Sequence, residues 1–237
     1  AFVNFQSRLL RGYRLLAGRD VKTHPALSAV AGSWHTQPQT DSGKEAPQAF
    51  TQAELGWEPW LGAKPLADYN EAEQAVLARF GHTDSDYFRL LGRNLPVLEQ
   101  RTLTDKGIFY TPGGLPRKER ELVAAVTSKV NGCIFCASVH ARKASQLSKQ
   151  TEDVQRLLDV QPGDELGAGQ SPRWQAIIDF TARLSATPSL ADAHDLARLR
   201  EQGLDTLEIV DVVQSAAFFS WANRLMLTLG EPFWPEN

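Results

Sequence analysis

Cysteine is scarce, with two in 237 residues. A disulfide framework is thereby excluded, and a close cysteine pair in such a chain fits a reducing compartment and a redox or metal role. The expected location is cytoplasmic. Neither sign of charge is in surplus. Lys plus Arg total 25 and Asp plus Glu 28, a net charge of −3, which argues against an electrostatic nucleic-acid binder. No apolar run reaches the length of about 18 residues that a transmembrane helix needs. The opening AFVNFQSRLLRGYRLLAG carries scattered arginines and no continuous apolar core, so it is not expected to be a secretory signal. Sustained period-two alternation is rare as well, and almost no sheet is expected.

Hydrophobic residues make up 42% of the chain, enough for an ordinary globular core, and they recur at helical spacing. Ala1 to about Leu16 reads as a short amphipathic helix, and His24 to Ala49 as a loop or extended arm. Trp57 and Trp60 then read as aromatic anchors packing that arm onto the body or a neighbouring subunit, or as a lid over a pocket. The domain division is an N-terminal arm or extension over 1–70, partly irregular, and a helical domain over 71–237.

Within the helical domain, helices are expected at Glu71–Phe80, at Asp86–Leu91 behind a cap at Ser85 or Asp84, and from Pro96 to about Leu103. A central pair follows. The next are Glu152–Val160, Pro172–Leu184, a segment capped by Ser189 and ending at Gly203, and a last helix from an Asp205 cap to Gly230. That last helix is apolar on nearly every side, which means burial. Asn223 and Arg224 inside it read as hydrogen-bonding partners of helix ends or as groups near the cysteines. His24, His35, His82 and His194 read as surface residues.

The chemistry concentrates in LPRKERELVAAVTSKVNGCIFCASVHARKASQL, Leu115 to Leu147. Pro116 suits a first helical position, and Asn131-Gly132 is a strong helix stop. Cys133 then opens a second helix. Cys136 lies three residues on and His140 four beyond that, spacings that share one helix face. A cysteine at a helix start feels unpaired N–H groups and the positive dipole end, which lowers the thiol pKa from about 8.5. Histidine moves protons near neutral pH. Glu121 can orient it, with Glu119 as the rival carboxylate. Three readings stay open on the residues alone: a passive pair, a redox dithiol, or a zinc site completed by His140 and Glu121, although structural zinc ordinarily takes four Cys or His ligands. A thioredoxin-like fold is disfavoured, because its Cys-x-x-Cys follows a strand.

Glu121, eleven residues, Cys133, two residues, Cys136, three residues, His140 resembles the signature of alkyl hydroperoxidase D-like proteins of the carboxymuconolactone decarboxylase-like superfamily. GGLPRKERELV, NGCIFCASVHARKA and the late AAFFSWANRL resemble its uncharacterised peroxidase-related branch, and the likeness spans roughly Asp86 to Gly230. Well-studied members carry a histidine directly before the second cysteine, where Phe135 stands here. The resemblance implies an all-α, multi-helix bundle with the Cys-x-x-Cys at a helix start, assembled as a homo-oligomer. It also implies thiol-dependent reduction of alkyl hydroperoxides, with no organic cofactor and no metal. Cys136 would be the attacking sulfur and Cys133 the resolving one, with a His140/Glu121 proton relay. The implied partners are a small-molecule hydroperoxide and an external dithiol reductant, either lipoyl or thioredoxin-like. Two alternatives accompany this reading: a lyase or decarboxylase acting on a small acid, and a non-catalytic redox sensor or disulfide-exchange protein.

Overall fold

The computed structural model describes residues 37–161 and 164–236. The helix expected at Ala1–Leu16 and the first half of the arm, with His24 and His35, lie outside them. In chain order the elements are β1 (Gly56–Pro59), α1 (Glu71–Arg79), α2 (Asp86–Leu91), α3 (Leu95–Tyr110), α4 (Arg117–Val130), α5 (Ile134–Ser148), α6 (Thr151–Asp159), α7 (Pro172–Ser185), α8 (Ala193–Glu201), α9 (Thr206–Leu229) and β2 (Gly230–Phe233), with 3-10 turns before α1 and α3. The body is helical. No helix among the described residues is long and apolar enough to cross a membrane.

Several starts follow from side-chain caps. Asn70, Ser85, Ser171 and Asp205 each accept from a backbone N–H of the first turn, satisfying donors that a helix cannot satisfy internally. Two expected boundaries are corrected. The helix from Pro96 does not stop near Leu103 but runs to Tyr110, because Leu98 and Phe109 are both buried on one side of a continuous helix. The Ser189 cap is replaced by Asp192, whose carboxylate accepts from the backbone of His194 and Asp195 while the Asp195 side chain reciprocates. This two-sided capping box outcompetes the lone serine.

Helix α4 is the axis of the fold. Every residue from Glu119 to Lys129 is buried, because α5, α7 and α9 all pack against it. On one side Leu122, Ala125 and Val126 meet Ile134, Ala137 and Ala141 of α5 together with Val154 and Leu157 of α6. On another, Val123 meets Ile177, Val212 and Ala216. On a third, Ala124 sits with both cysteines, Phe218, Phe219 and Ala222. Helix α9 leaves Leu207, Val210, Trp221 and Leu227 exposed.

Residues 37–70 run along this body. Phe50 and Leu55 enter the first core cluster, and Arg142 donates to the carbonyls of Gln52 and Ala53 at 3.2 and 3.0 Å. Strand β1 pairs antiparallel with β2, Gly56 opposite Phe233 and Pro59 opposite Gly230. The pairing is close. A Cβ on Gly230 would meet the Glu58 carbonyl oxygen at 2.1 Å and the Trp57 ring at 2.4 Å. Gly230→Ala is therefore expected to part the ribbon and lower stability by about 1–3 kcal/mol, read as a drop in Tm with the helical circular dichroism retained.

His82 is a correction. It is buried, not a surface residue. Its ring stacks on Phe88 at 3.6 Å, and Nε2 lies 2.9 Å from Thr102 Oγ1. That hydroxyl already donates to the Leu98 carbonyl, so Nε2–H is the donor and the ring is the neutral Nε2–H tautomer. Burial, with the nearby Arg101 charge, pulls its pKa down from 6.5 to about 4. A depressed histidine contributes stability above its unfolded pKa of about 6.5 and loses it as pH falls toward the folded value. Urea stability is expected to decline from pH 6.5 to pH 4, and His82→Gln, which keeps a donor but does not titrate, is expected to flatten that decline. His194, by contrast, is exposed, as read from the sequence.

Candidate functional site

The α4–α5 hairpin places the dithiol. At the end of α4 the Asn131 N–H returns to the Thr127 carbonyl and the Gly132 N–H to Lys129. Gly132 has a φ of 78°, the left-handed conformation that costs glycine least. The chain reverses there, and the Cys133 N–H closes onto the Ser128 carbonyl at 2.8 Å. Cys133 is the N-cap of α5 rather than its first helical residue, and Pro116 likewise precedes α4 as its N-cap. Cys136 follows in the first turn of α5. Both cysteines are buried free thiols.

The two sulfurs face different surroundings. Cys136 lines a cavity of about 550 Å³, together with Glu121 and His140. Cys133 is 2% exposed and sits behind it, among Ala124, Phe218, Phe219 and Ala222. Cys136, three residues beyond the helix-start cysteine, is not acidified. Its hydrogen bond with Cys133, its burial and the nearby Cys133 charge push its pKa well above the ordinary thiol value. A hydrogen bond from Asn223 and the Arg101 charge pull the other way. Three residues into the helix, the dipole does not offset a second sulfur in contact.

His140 Nδ1 lies 2.6 Å from Glu121 Oε2, and both side chains are buried. Burial alone would raise the Glu121 pKa, but the hydrogen bond and charge of His140, with Lys143 and Arg117, bring it below normal. Burial lowers the pKa of His140, and Glu121 only partly restores it. Near neutrality the pair is thus carboxylate and neutral imidazole. Nδ1–H donates to Glu121, which leaves Nε2 as the ring's acceptor. The Phe219 ring meets the imidazole edge to face at 4.1 Å and fixes its plane. The rival Glu119 is held elsewhere, bidentate with Arg173 at 2.9 and 2.8 Å.

Asn223 joins the hairpin to α9. Its Oδ1 accepts from Asn131 Nδ2 at 3.0 Å, and its Nδ2 donates to Ser128 Oγ at 3.0 Å. Both readings of this residue therefore hold, since it pins a helix end and also touches the thiol. Arg224 is exposed and reaches Ser220 and Thr187, not the cysteines.

Aromatic side chains build much of the remaining wall, among them Trp57, Tyr87, Phe88, Phe109, Phe135 and Phe219. Trp57 meets Tyr87 edge to face at 5.5 Å, so it is at once an anchor and part of the cavity wall. Trp60 is exposed and donates to Glu231 at 2.9 Å. Sequence reasoning missed Tyr87 and Arg101. The signal for Arg101 was a cation one turn from Asp105 and one turn from Leu98. Among the described residues no group of three or more His, Cys, Asp or Glu could hold a metal ion.

A raised Cys136 pKa makes alkylation a direct test. Carboxamidomethylation of Cys136, followed by peptide mass spectrometry, is expected to keep accelerating well above pH 8.5, the ordinary thiol value. Asn223→Ala, which removes a donor to the thiolate, is expected to shift the profile further toward alkaline pH.

Comparison with known proteins finds likenesses in sequence and in fold. Residues 96–164, most of α3 through α6, match the model of the carboxymuconolactone decarboxylase family. The uncharacterized protein YdfG of Bacillus subtilis (strain 168) is 24% identical over 130 residues, 55% of this chain and 86% of that protein. Among solved structures, an alkylhydroperoxidase AhpD core, an uncharacterized peroxidase-related protein from Ralstonia eutropha JMP134, superposes with TM-score 0.61 at 21% identity, covering 72% of this chain and 90% of that one. A peroxidase-related protein from Silicibacter sp. TM1040 gives TM-score 0.57 at 21% identity over 70% of this chain and 88% of that one. A cysteine-to-alanine variant of the debrominase Bmp8, in complex with 2,3,4-tribromopyrrole, gives 0.56 at 14% identity over 72% and 89%.

Proposed function

We propose that the chain, similar over residues 96–164 to the carboxymuconolactone decarboxylase family and in fold to an alkylhydroperoxidase AhpD core, is a thiol-dependent peroxidase reducing alkyl hydroperoxides. The observation that carries the reading is the placement of Cys136, alone of the two sulfurs, on the cavity wall with the Glu121–His140 pair.

His140, through Nε2, takes the proton that Cys136 holds tightly. The Cys136 thiolate attacks the terminal oxygen of the hydroperoxide. The O–O bond breaks, a sulfenic acid forms on Cys136, and the alkoxide leaves and takes a proton from the imidazolium to become the alcohol. The Cys133 thiol then condenses with the sulfenic acid, forming the disulfide and releasing water. Two electrons and two protons from an external dithiol, lipoyl or thioredoxin-like, restore the pair. Glu121 stays ionised throughout and stabilises the imidazolium. The relay runs without a histidine between the cysteines, since Phe135 occupies that place in the wall. The exposed apolar residues of α9, Leu207, Val210 and Trp221, suit a homo-oligomeric contact.

A second reading draws on the aromatic wall and on the debrominase likeness. In it the same dithiol removes bromide from an aryl ring, replacing it with hydrogen and ending as the disulfide.

The test is single-turnover oxidation by cumene hydroperoxide, with thiols counted before and after. Wild type is expected to lose two thiols and release one equivalent of cumyl alcohol. Cys136→Ser is expected to be inert, and Cys133→Ser to stop at a sulfenic acid that dimedone traps. His140→Gln is expected to slow the step by about 10²-fold or more. Full turnover by Cys136→Ser with a dithiol donor would overturn the assignment, and bromide release without peroxide reduction would favour the second reading.

A further inference from the structure

Two buried donors in the cavity wall have nothing to donate to. Tyr87 Oη and Arg101 Nε are buried side-chain atoms without a hydrogen-bond partner, and both residues line the cavity beside Cys136. Each residue is more than nine-tenths buried, at 8% and 9% exposure. Asp105, the charged partner of Arg101, stands 3.9 Å away, too far for a hydrogen bond. The guanidinium is instead bracketed by the rings of Phe88 and Phe218, each 5.2 Å from it. Leaving a buried donor unsatisfied costs about 1–3 kcal/mol, more for a charged group. Two such donors on one cavity wall mark the place of an acceptor that arrives with the substrate.

Their neighbourhood says which acceptor. Tyr87 packs in the same cluster as Cys133, Cys136, Phe218 and Phe219. The Arg101 charge acts on Cys136, and the Cys136 charge on Tyr87. Burial pushes the Tyr87 pKa up to about 12, so its O–H remains a donor throughout the working range of a dithiol. His140 and Glu121, by contrast, are already committed to each other and to the thiol proton. Displacement at an O–O bond transfers a full negative charge to the departing oxygen, and that charge has no other unpartnered buried side-chain donor on this wall among the described residues.

We propose that Tyr87 and Arg101 form the hole that receives the leaving oxygen, donating to the alkoxide as the Cys136 sulfur takes the terminal oxygen. The proposal rests on the peroxidase reading and adds two catalytic residues to it. The bond that breaks is O–O and the bond that forms is S–O. The electron pair of the broken bond stays on the leaving oxygen, and Oη–H and Nε–H hold it until the imidazolium proton converts it to the alcohol. Preorganised donors of this kind act only as charge develops, and loss of one costs about 10²–10³ in rate in known cases.

The experiment varies the leaving group. Stopped-flow oxidation of the reduced full chain is measured with tert-butyl hydroperoxide, cumene hydroperoxide and peracetic acid, in wild type, Tyr87→Phe, Arg101→Gln and Arg101→Lys. Iodoacetamide alkylation of Cys136 in each variant corrects for any change in thiolate supply. Arg101→Gln is expected to slow the tert-butyl substrate by about 10²-fold or more and peracetic acid, whose leaving group is a stable carboxylate, by less than about a tenth as much. Tyr87→Phe is expected to show the same bias more weakly, and Arg101→Lys to recover part of the loss. Tyr87→Phe removes only a hydroxyl whose hydrogen has no acceptor, so it decides the matter if Arg101→Gln does not fold. Slowing that is equal across the three oxidants, or absent after correction, overturns the hole while leaving the peroxidase reading intact. A wild-type dithiol that no peroxide oxidises overturns both.

Discussion

A carboxylate taken almost wholly out of water must be compensated or it will hold a proton, and Glu121 sits at the centre of this fold. The effective penalty of burying an ion is several kcal/mol. It is met here by a 2.6 Å contact with His140 and by Arg117 at 3.5 Å on the other carboxylate oxygen. This one pairing joins α4 to α5 across the cavity and sets the imidazole tautomer. It also requires that the two helices pack in a single register. A slide of one turn would separate Glu121 from His140 and strand a charge. The hairpin is therefore specified by electrostatics at the cavity and by shape behind it, where alanines let α4 and α5 approach closely.

The dithiol follows a different logic. Two sulfurs in contact share the consequences of ionisation, since a charge on one makes the second proton harder to remove, and burial adds to this for Cys136. Cys136 therefore rests in its protonated form. Reactivity then depends on a base in the same cavity rather than on a standing thiolate. The Asn131–Asn223–Ser128 chain of hydrogen bonds holds the turn beneath the pair, so the distance between the sulfurs is set by three helices instead of by one flexible loop.

Much of the architecture could be read in the chain. The Asp205 cap, the stop at Asn131-Gly132 and the Ser85 cap are local signals with local causes, and the structure shows helices α9, α4 and α2 bounded by them. The spacing of Glu121, Cys133, Cys136 and His140 could be read too, because helical periodicity places them on facing turns. What escaped depends on contacts between distant parts of the chain. The length of α3 was set by core burial at Leu98 and Phe109, and the start of α8 by a reciprocal bond between Asp192 and Asp195. His82 looked like a loop residue until Phe88 and Thr102 were seen to enclose it. The unmet donors of Tyr87 and Arg101 are invisible in sequence, since an absent partner leaves no pattern. The small ribbon pairs Gly56 with Phe233, residues at opposite ends of the described chain.

That ribbon reaches further than its size suggests. Strand β1 carries Trp57, whose ring meets Tyr87 and closes one side of the chamber that holds the sulfur. The shutter is latched by β2, a segment with no reactive group of its own. One wall of the chamber is therefore held some distance from the chemistry, by four residues near the end of the described chain paired with four near its beginning.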